Sequence, residues 1–166
     1  AGDRKKPGKH IPSTTPIVMA SSFVYDDTST LDRIFGHEEH GPSYARYENP
    51  TNSALEEQVS SLEGAAGALA CASGMAALHT AILCALLDRP KSIVAASDLY
   101  GATIKLLMQL IEPFGVRIRF VNFCDLQEVQ AAVDAEKPGV LFCESVSNPL
   151  LRVCELDRIA AIARSV

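Results

Sequence analysis

Four segments carry residue types that, together, would grip a flat, anionic ligand. In Ala72-Ser73-Gly74-Met75-Ala76 a serine and a glycine stand where a short apolar run gives way to a helical pattern. The first N–H groups of a helix have no partner within it and lie at its positive end, so they suit an anion such as phosphate, and glycine lets the anion come close. Ser97-Asp98-Leu99-Tyr100-Gly101 offers a tyrosine whose ring can stack on a planar heteroaromatic. Glu144-Ser145-Val146-Ser147-Asn148-Pro149 places a carboxylate and an amide after another apolar run, where they can hydrogen-bond a ligand's polar edge. In Tyr44-Ala45-Arg46-Tyr47, an extended backbone would point Tyr44 and Arg46 the same way, so that hydroxyl and guanidinium hold one phosphate together. Taken singly, each has a plainer explanation: a helix cap at Ser73, a tyrosine packed under a loop, a turn at Asn148-Pro149, a surface arginine beside an aromatic.

The elements that must position these groups follow from periodicity. Residues 1–48 show no sustained period and many breakers, among them Pro7, Pro12, Pro16, Gly36, Gly41 and Pro42, and are expected to form an arm that lies against something else, such as a partner subunit. From Asn49 the pattern changes. Asn49-Pro50 starts a helix with Leu55, Val59 and Leu62 on one face, and Gly64 and Gly67 close it. Ala68 to Cys71 reads as a short strand. Ser73-Gly74 opens a helix to about Leu87 that is apolar on most of its surface and therefore expected to be buried. Strands at Ser92–Ala96, Val116–Val121 and Val140–Cys143 alternate with helices at Ala102–Ile111 and Leu126–Ala135, and a last helix starts near Glu155. Such alternation is the mark of β-α-β units in a mostly parallel sheet, so the fold class is α/β and residues 49–166 form its first part. In such sheets ligands collect at the carboxyl ends of strands, where three of the four segments fall. Helical spacing persists to Ser165-Val166 with no stop signal, which leads to the expectation of a truncated domain.

Composition narrows the classes. With 166 residues, 48% of them apolar, and a net charge of -5, the chain reads as a soluble globular protein. A general nucleic-acid binder would need a basic face, and the only basic run is Arg4, Lys5, Lys6 and Lys9 in the Pro/Gly-containing tail. No apolar run is long enough to span a bilayer. The five cysteines, Cys71, Cys84, Cys124, Cys143 and Cys154, form no C-x-x-C pair, and most sit in apolar stretches; buried free thiols in a reducing, cytoplasmic compartment are expected. His37-Glu38-Glu39-His40 is one residue short of the zinc-binding helix motif, so no metal site is expected, and His79 reads as a core or interface residue. No Walker loop or G-x-G-x-x-G fingerprint follows a strand, which leaves a nucleotide-binding domain unsupported.

Tyr-x-Arg-x-x-Asn-Pro-Thr, Leu-Glu-Gly, Ala-Ser-Gly-Met-Ala-Ala, Asp-Leu-Tyr-Gly-Ala-Thr and Glu-Ser-x-x-Asn-Pro, in this order and at these separations, resemble the Cys/Met-metabolism family of pyridoxal-phosphate enzymes. The likeness runs from about Thr14 to the last residue. It implies an aspartate-aminotransferase-like large domain (fold type I) preceded by an arm that reaches into the neighbouring subunit. It implies trans-sulfuration chemistry, the making or breaking of a C–S bond on a sulfur amino acid or an activated homoserine, by a dimer of dimers. Gly74 and Met75 would donate N–H groups to the cofactor phosphate. Tyr100 would stack on the pyridine ring and assist catalysis, Tyr44 and Arg46 would reach the phosphate of the partner's cofactor, and Asn148 would lie near the ring's 3-hydroxyl. Tyr44 and Tyr100 would also serve in proton transfer. No specific role attaches to Glu144.

The chain also departs from that pattern. Glu48 stands where relatives carry a small residue, and Ala102 where dedicated methionine lyases carry cysteine. The family's cofactor-holding lysine, in a Ser-x-x-Lys setting, has no counterpart among Lys5, Lys6, Lys9, Lys91, Lys105 and Lys137. A second reading therefore stands beside the first, a catalytically inactive piece that acts only as a structural or interaction module.

Overall fold

The computed structural model describes residues 13–165; the basic run at Arg4 to Lys9 lies outside them. Contacts divide the chain into two compact units, Ala1–Ala70 and Cys71–Val166.

In the first unit, the stretch expected to lack regular structure contains a helix, α1 (Thr28–Phe35). Its start rests on Asp27, whose carboxylate accepts from the Ser29 hydroxyl and the Thr30 N–H, contacts that hold its carboxyl below the usual range. Helix α2 (Pro50–Glu63) begins and ends as expected, with Asn49 Oδ1 accepting from the Thr51 N–H at 2.9 Å and Gly64 at φ 61°. The other end of the Asn49 amide donates to Val18 O at 3.0 Å, and the Thr51 hydroxyl accepts from the Val18 N–H at 2.9 Å. One N-cap residue thus also fastens the preceding chain to α2. The apolar stripe of α2 is open to solvent, Leu55 at 56% and Leu62 at 77% exposure, because no element among the described residues of this unit buries it. Residues 68–71 form no strand. A strand needs a ladder, and among the described residues no other segment pairs with this one; its Ala70 N–H goes instead to Glu56 Oε1 at 2.8 Å.

The second unit is the α/β part. Three parallel strands, β1 (Ser92–Ala96), β2 (Arg117–Val121) and β3 (Val140–Phe142), are ordered β2-β1-β3, with Val94 opposite Arg119 on one side and Leu141 on the other. The central strand is buried at every residue, which explains its unbroken apolar run. Helices α3 (Gly74–Ala85), α4 (Gly101–Lys105), α5 (Leu126–Glu136) and α6 (Leu156–Arg164) complete the unit. The helix that starts as α4 continues as a π-helical turn, Leu106–Ile111, and ends in a 3₁₀ turn before Gly115 at φ 84°. Asp125 caps α5, accepting from the N–H groups of Gln127 and Glu128. Gly139 meets the chain just before β1 so closely that an added Cβ would overlap the Pro90 carbonyl oxygen, while its N–H donates to Ser92 O at 2.9 Å; the register of β3 starts from that contact. The core gathers Ile82, Leu86, Ile93, Val94, Leu107, Ile111, Phe123, Val129 and Val133.

Two expectations about burial change here. Helix α3 buries only Ile82, and Leu83 on its outer side is 47% exposed. Its composition suits burial, but within α3 only Ile82 is buried in the core of this unit. Likewise Cys84 and Cys124 are exposed, and of the five thiols only Cys154 is buried.

Candidate functional site

Ser73 precedes α3 in extended conformation, and its Oγ accepts from the Ala76 N–H at 3.1 Å while its carbonyl accepts from Ala77. The cap therefore serves the third N–H of the helix. The N–H groups of Gly74 and Met75, the first two, have no partner among the described residues. A Cβ added at Gly74 would meet nothing within 4 Å, so no packing within the chain demands glycine there. The space in front of it is open.

That space is a shallow concavity of about 640 Å³ lined by Ser73, Gly74, Met75, Ala77, Leu78, Ala81 and Tyr100. Tyr100 is the residue before α4 and is 48% exposed. The sheet brings α3 and α4 together, so two segments distant in sequence line one surface. A larger concavity, about 810 Å³, opens near Pro90 and Gly139, where strands β1 and β3 begin; it lies at the wrong end of the sheet for ligands of this fold class.

Glu144, to which the sequence attached no role, is the tie between loops. Its Oε1 accepts from the Tyr100 N–H at 2.9 Å and its Oε2 from the Asn148 N–H at 3.1 Å. One carboxylate thereby sets the start of α4 and the loop after β3 against each other. The signal for it was Glu144's place at the carboxyl end of a strand, two residues beyond Phe142. Ser147, 5% exposed, holds the same loop: its N–H donates to Arg152 O at 2.9 Å, and its hydroxyl accepts from the Arg152 N–H at 3.0 Å. The amide side chain of Asn148 is exposed and, among the described residues, makes no hydrogen bond. Asn148-Pro149 is a cis peptide. Asp98 has one buried oxygen, Oδ2, with no hydrogen bond, and Arg152 Nε stands 4.0 Å from it, an ion pair too long to be a hydrogen bond.

Glu144→Gln keeps one acceptor oxygen, so one of the two N–H groups loses its partner. Both bonds are open to solvent, and the expected loss is about 1 kcal/mol, or about fivefold faster amide exchange at Tyr100 or Asn148. Hydrogen-exchange mass spectrometry over residues 97–101 and 145–152 checks it; unchanged exchange in both segments would mean that the tie is idle.

Tyr44 and Arg46 lie in the first unit. The Arg46 guanidinium sits 4.9 Å from the Tyr44 ring centroid and 5.6 Å from that of Tyr47. The expected extended backbone is absent: the N–H groups of Tyr47 and Glu48 both donate to Tyr44 O, which makes a turn. Adjacency of ring and guanidinium arises from that turn and the cation–π contact. Arg46 is exposed and, among the described residues, forms no ion pair. No group of three His, Cys, Asp or Glu able to hold a metal occurs among the described residues, and none of their helices is long and apolar enough to cross a membrane.

A family model described as Cys/Met metabolism PLP-dependent enzyme matches residues 1–166. The chain is 35% identical over 159 residues to the O-acetyl-L-homoserine sulfhydrylase of Leptospira meyeri, covering 93% of this chain and 36% of that protein. It is 35% identical over 149 residues to the L-methionine gamma-lyase of Pseudomonas putida, covering 90% and 37%. Among solved structures, a putative O-acetylhomoserine (thiol)-lyase from Campylobacter jejuni, crystallised with N'-pyridoxyl-lysine-5'-monophosphate, superposes with a TM-score of 0.82 at 26% identity over 93% of this chain and 38% of that one. Cystathionine gamma synthase from Xanthomonas oryzae pv. oryzae gives 0.81 at 29% identity over 99% and 39%. The chain thus spans a little over a third of the length of these relatives. Matched along its whole length by the family model, and folded like these relatives of known structure, the chain belongs to the Cys/Met metabolism PLP-dependent enzymes.

Proposed function

We propose that this chain supplies the phosphate grip and ring platform of a pyridoxal-phosphate enzyme that makes or breaks a C–S bond on a sulfur amino acid or an activated homoserine. The observation that carries the reading is the pair of unclaimed N–H groups at Gly74 and Met75, opening on the concavity that Tyr100 also lines. These residues fit a phosphorylated aromatic: two backbone donors at a helix start for the phosphate, an opening that any side chain at Gly74 would narrow, and an exposed phenol ring to stack. When bound, pyridoxal phosphate supplies an electron-withdrawing ring for negative charge developing on the substrate carbon. The chain's own residues hold and orient. Gly74 and Met75 would bind the phosphate, Tyr100 would stack, the Asn148 amide would bond the ring's polar edge, and the phenols of Tyr44 and Tyr100 would move protons. The turn-held Tyr44 and Arg46 would reach the phosphate in a partner subunit, in a dimer or dimer of dimers, and the free thiols suit a reducing, cytoplasmic setting.

Among the described residues no lysine lines the concavity, an observation that favours a second reading, non-covalent cofactor binding without catalysis by this chain alone. Titration of the chain with pyridoxal phosphate and with pyridoxal, followed by visible absorbance, tests the grip. The phosphorylated form should bind at least about tenfold tighter, and Tyr100→Ala should weaken it by a further ~10-fold through lost stacking. Equal binding of the two forms would sink the phosphate assignment. A borohydride-stable adduct on one defined lysine would exclude the non-covalent reading.

A further inference from the structure

Three thiols that the proposed chemistry does not use meet at the carboxyl ends of the strands. Cys124 lies in the turn after β2, Cys143 directly follows β3, and Cys154 precedes α6. Cys154 is 8% exposed, Cys143 is partly buried, and Cys124 is exposed to solvent. The Cys124 thiol donates to Val153 O at 3.8 Å, the carbonyl joined to Cys154. Through that carbonyl the Cys124 sulfur stands against the backbone that leads into Cys154, and Cys143 and Cys124 are both near enough to push the Cys154 thiol up. It is the inner member of the cluster, and Cys124 is its outlet to solvent.

We propose that Cys124 and Cys154 form a redox-active dithiol that low-molecular-weight disulfides, such as glutathione disulfide, oxidise to an internal disulfide. The order of events follows from access. The exposed Cys124 thiolate attacks one sulfur of the small disulfide, forming a mixed disulfide and releasing one thiol. The Cys154 sulfur, after giving up its proton to solvent, attacks Cys124 Sγ and releases the second thiol. Two protein thiols and one small disulfide become one protein disulfide and two small thiols, so atoms and electrons balance. Burial first, then the neighbouring Cys143, Cys124 and Asp98, push the Cys154 thiol up to about 11. Such a thiol is a poor first nucleophile for a bulky reagent but a strong one toward a sulfur already beside it, where proximity replaces concentration.

The link would join the β2–α5 turn to the strap that carries Asn148, because Val153 bridges to Val146 in an antiparallel pair just before Cys154. It goes beyond the cofactor reading and does not depend on it.

The test is to treat the chain with glutathione disulfide, quench in acid, and map it without reduction. Cleavage after Glu128, Glu136, Glu144 and Glu155 puts the three thiols on separate peptides. Expected is a Cys124–Cys154 linked peptide in which two hydrogens are lost and no glutathione remains, while exposed Cys84 carries glutathione. In Cys154→Ala the Cys124 adduct should persist, its loss slowed at least about tenfold. The wild-type map needs no variant, so a fold defect in Cys154→Ala leaves the test intact. Stable glutathione on Cys124 of the wild-type chain, or a Cys143–Cys154 link with Cys124 unreacted, would overturn the proposal.

Discussion

Gly74→Asp should weaken pyridoxal-phosphate binding by about 100-fold, roughly 2.7 kcal/mol, while leaving the fold as stable as before. The two halves of that result come from different physics. A Cβ at Gly74 meets nothing within 4 Å, and a carboxylate in the first turn interacts favourably with the helix dipole, worth up to about 1 kcal/mol. Stability should therefore hold or rise slightly. The same carboxylate would stand in front of the Gly74 and Met75 N–H groups and repel a phosphate dianion. Gly74→Ala, which adds bulk without charge, should fall between. If the aspartate variant binds the cofactor as the parent does, the start of α3 is a helix cap and nothing more.

Phe123→Ala should destabilise the second unit by about 3–5 kcal/mol, against a total that for domains of this kind is about 5–15 kcal/mol. Phe123 is 1% exposed and heads the fully buried side chains, packed within the cluster that includes Val121, Val129 and Val133. Truncation removes the ring from a site that rigid strand ends cannot fully close over. Its neighbours make the loss local in a useful way: Asn122 Oδ1 accepts from the Cys124 N–H at 3.1 Å and Asp125 caps α5, so the turn after β2 depends on the phenyl anchor. Urea unfolding followed by far-ultraviolet circular dichroism measures the loss. A shift under about 1 kcal/mol would show that the site collapses and that Phe123 is not the anchor.

The elements of the second unit were legible because their signals are local. Ser73 and the unbroken run Ser92–Ala96 announce a cap and a buried strand within a few residues each. Helix α1 was missed although Asp27 supplies a cap, because three prolines before it and two glycines after it mask eight helical residues. Residues 68–71 were misread for the opposite reason: an apolar run looks like a strand, but only a partner makes one. The burial of α3 was overestimated on the same logic, since composition records what a helix can bury and not what stands beside it.

For the site, the sequence by itself determined which groups are offered: unpaired N–H groups at a Ser-Gly helix start, a tyrosine after a strand, an Asn-Pro loop and a Tyr-x-Arg pair. Those are consequences of residue type and of spacing along one element. Tertiary structure alone decided which of them share a surface. Parallel strands β1 and β3 bring Tyr100 and Asn148 to the carboxyl end of the sheet, and the two oxygens of Glu144 join them across 44 and 4 residues of chain. Tertiary packing likewise brings the Cys124 thiol after β2 to the Val153 carbonyl, next to Cys154. Neither contact has a local signature, because a hydrogen bond between loops depends on the register of the sheet beneath them.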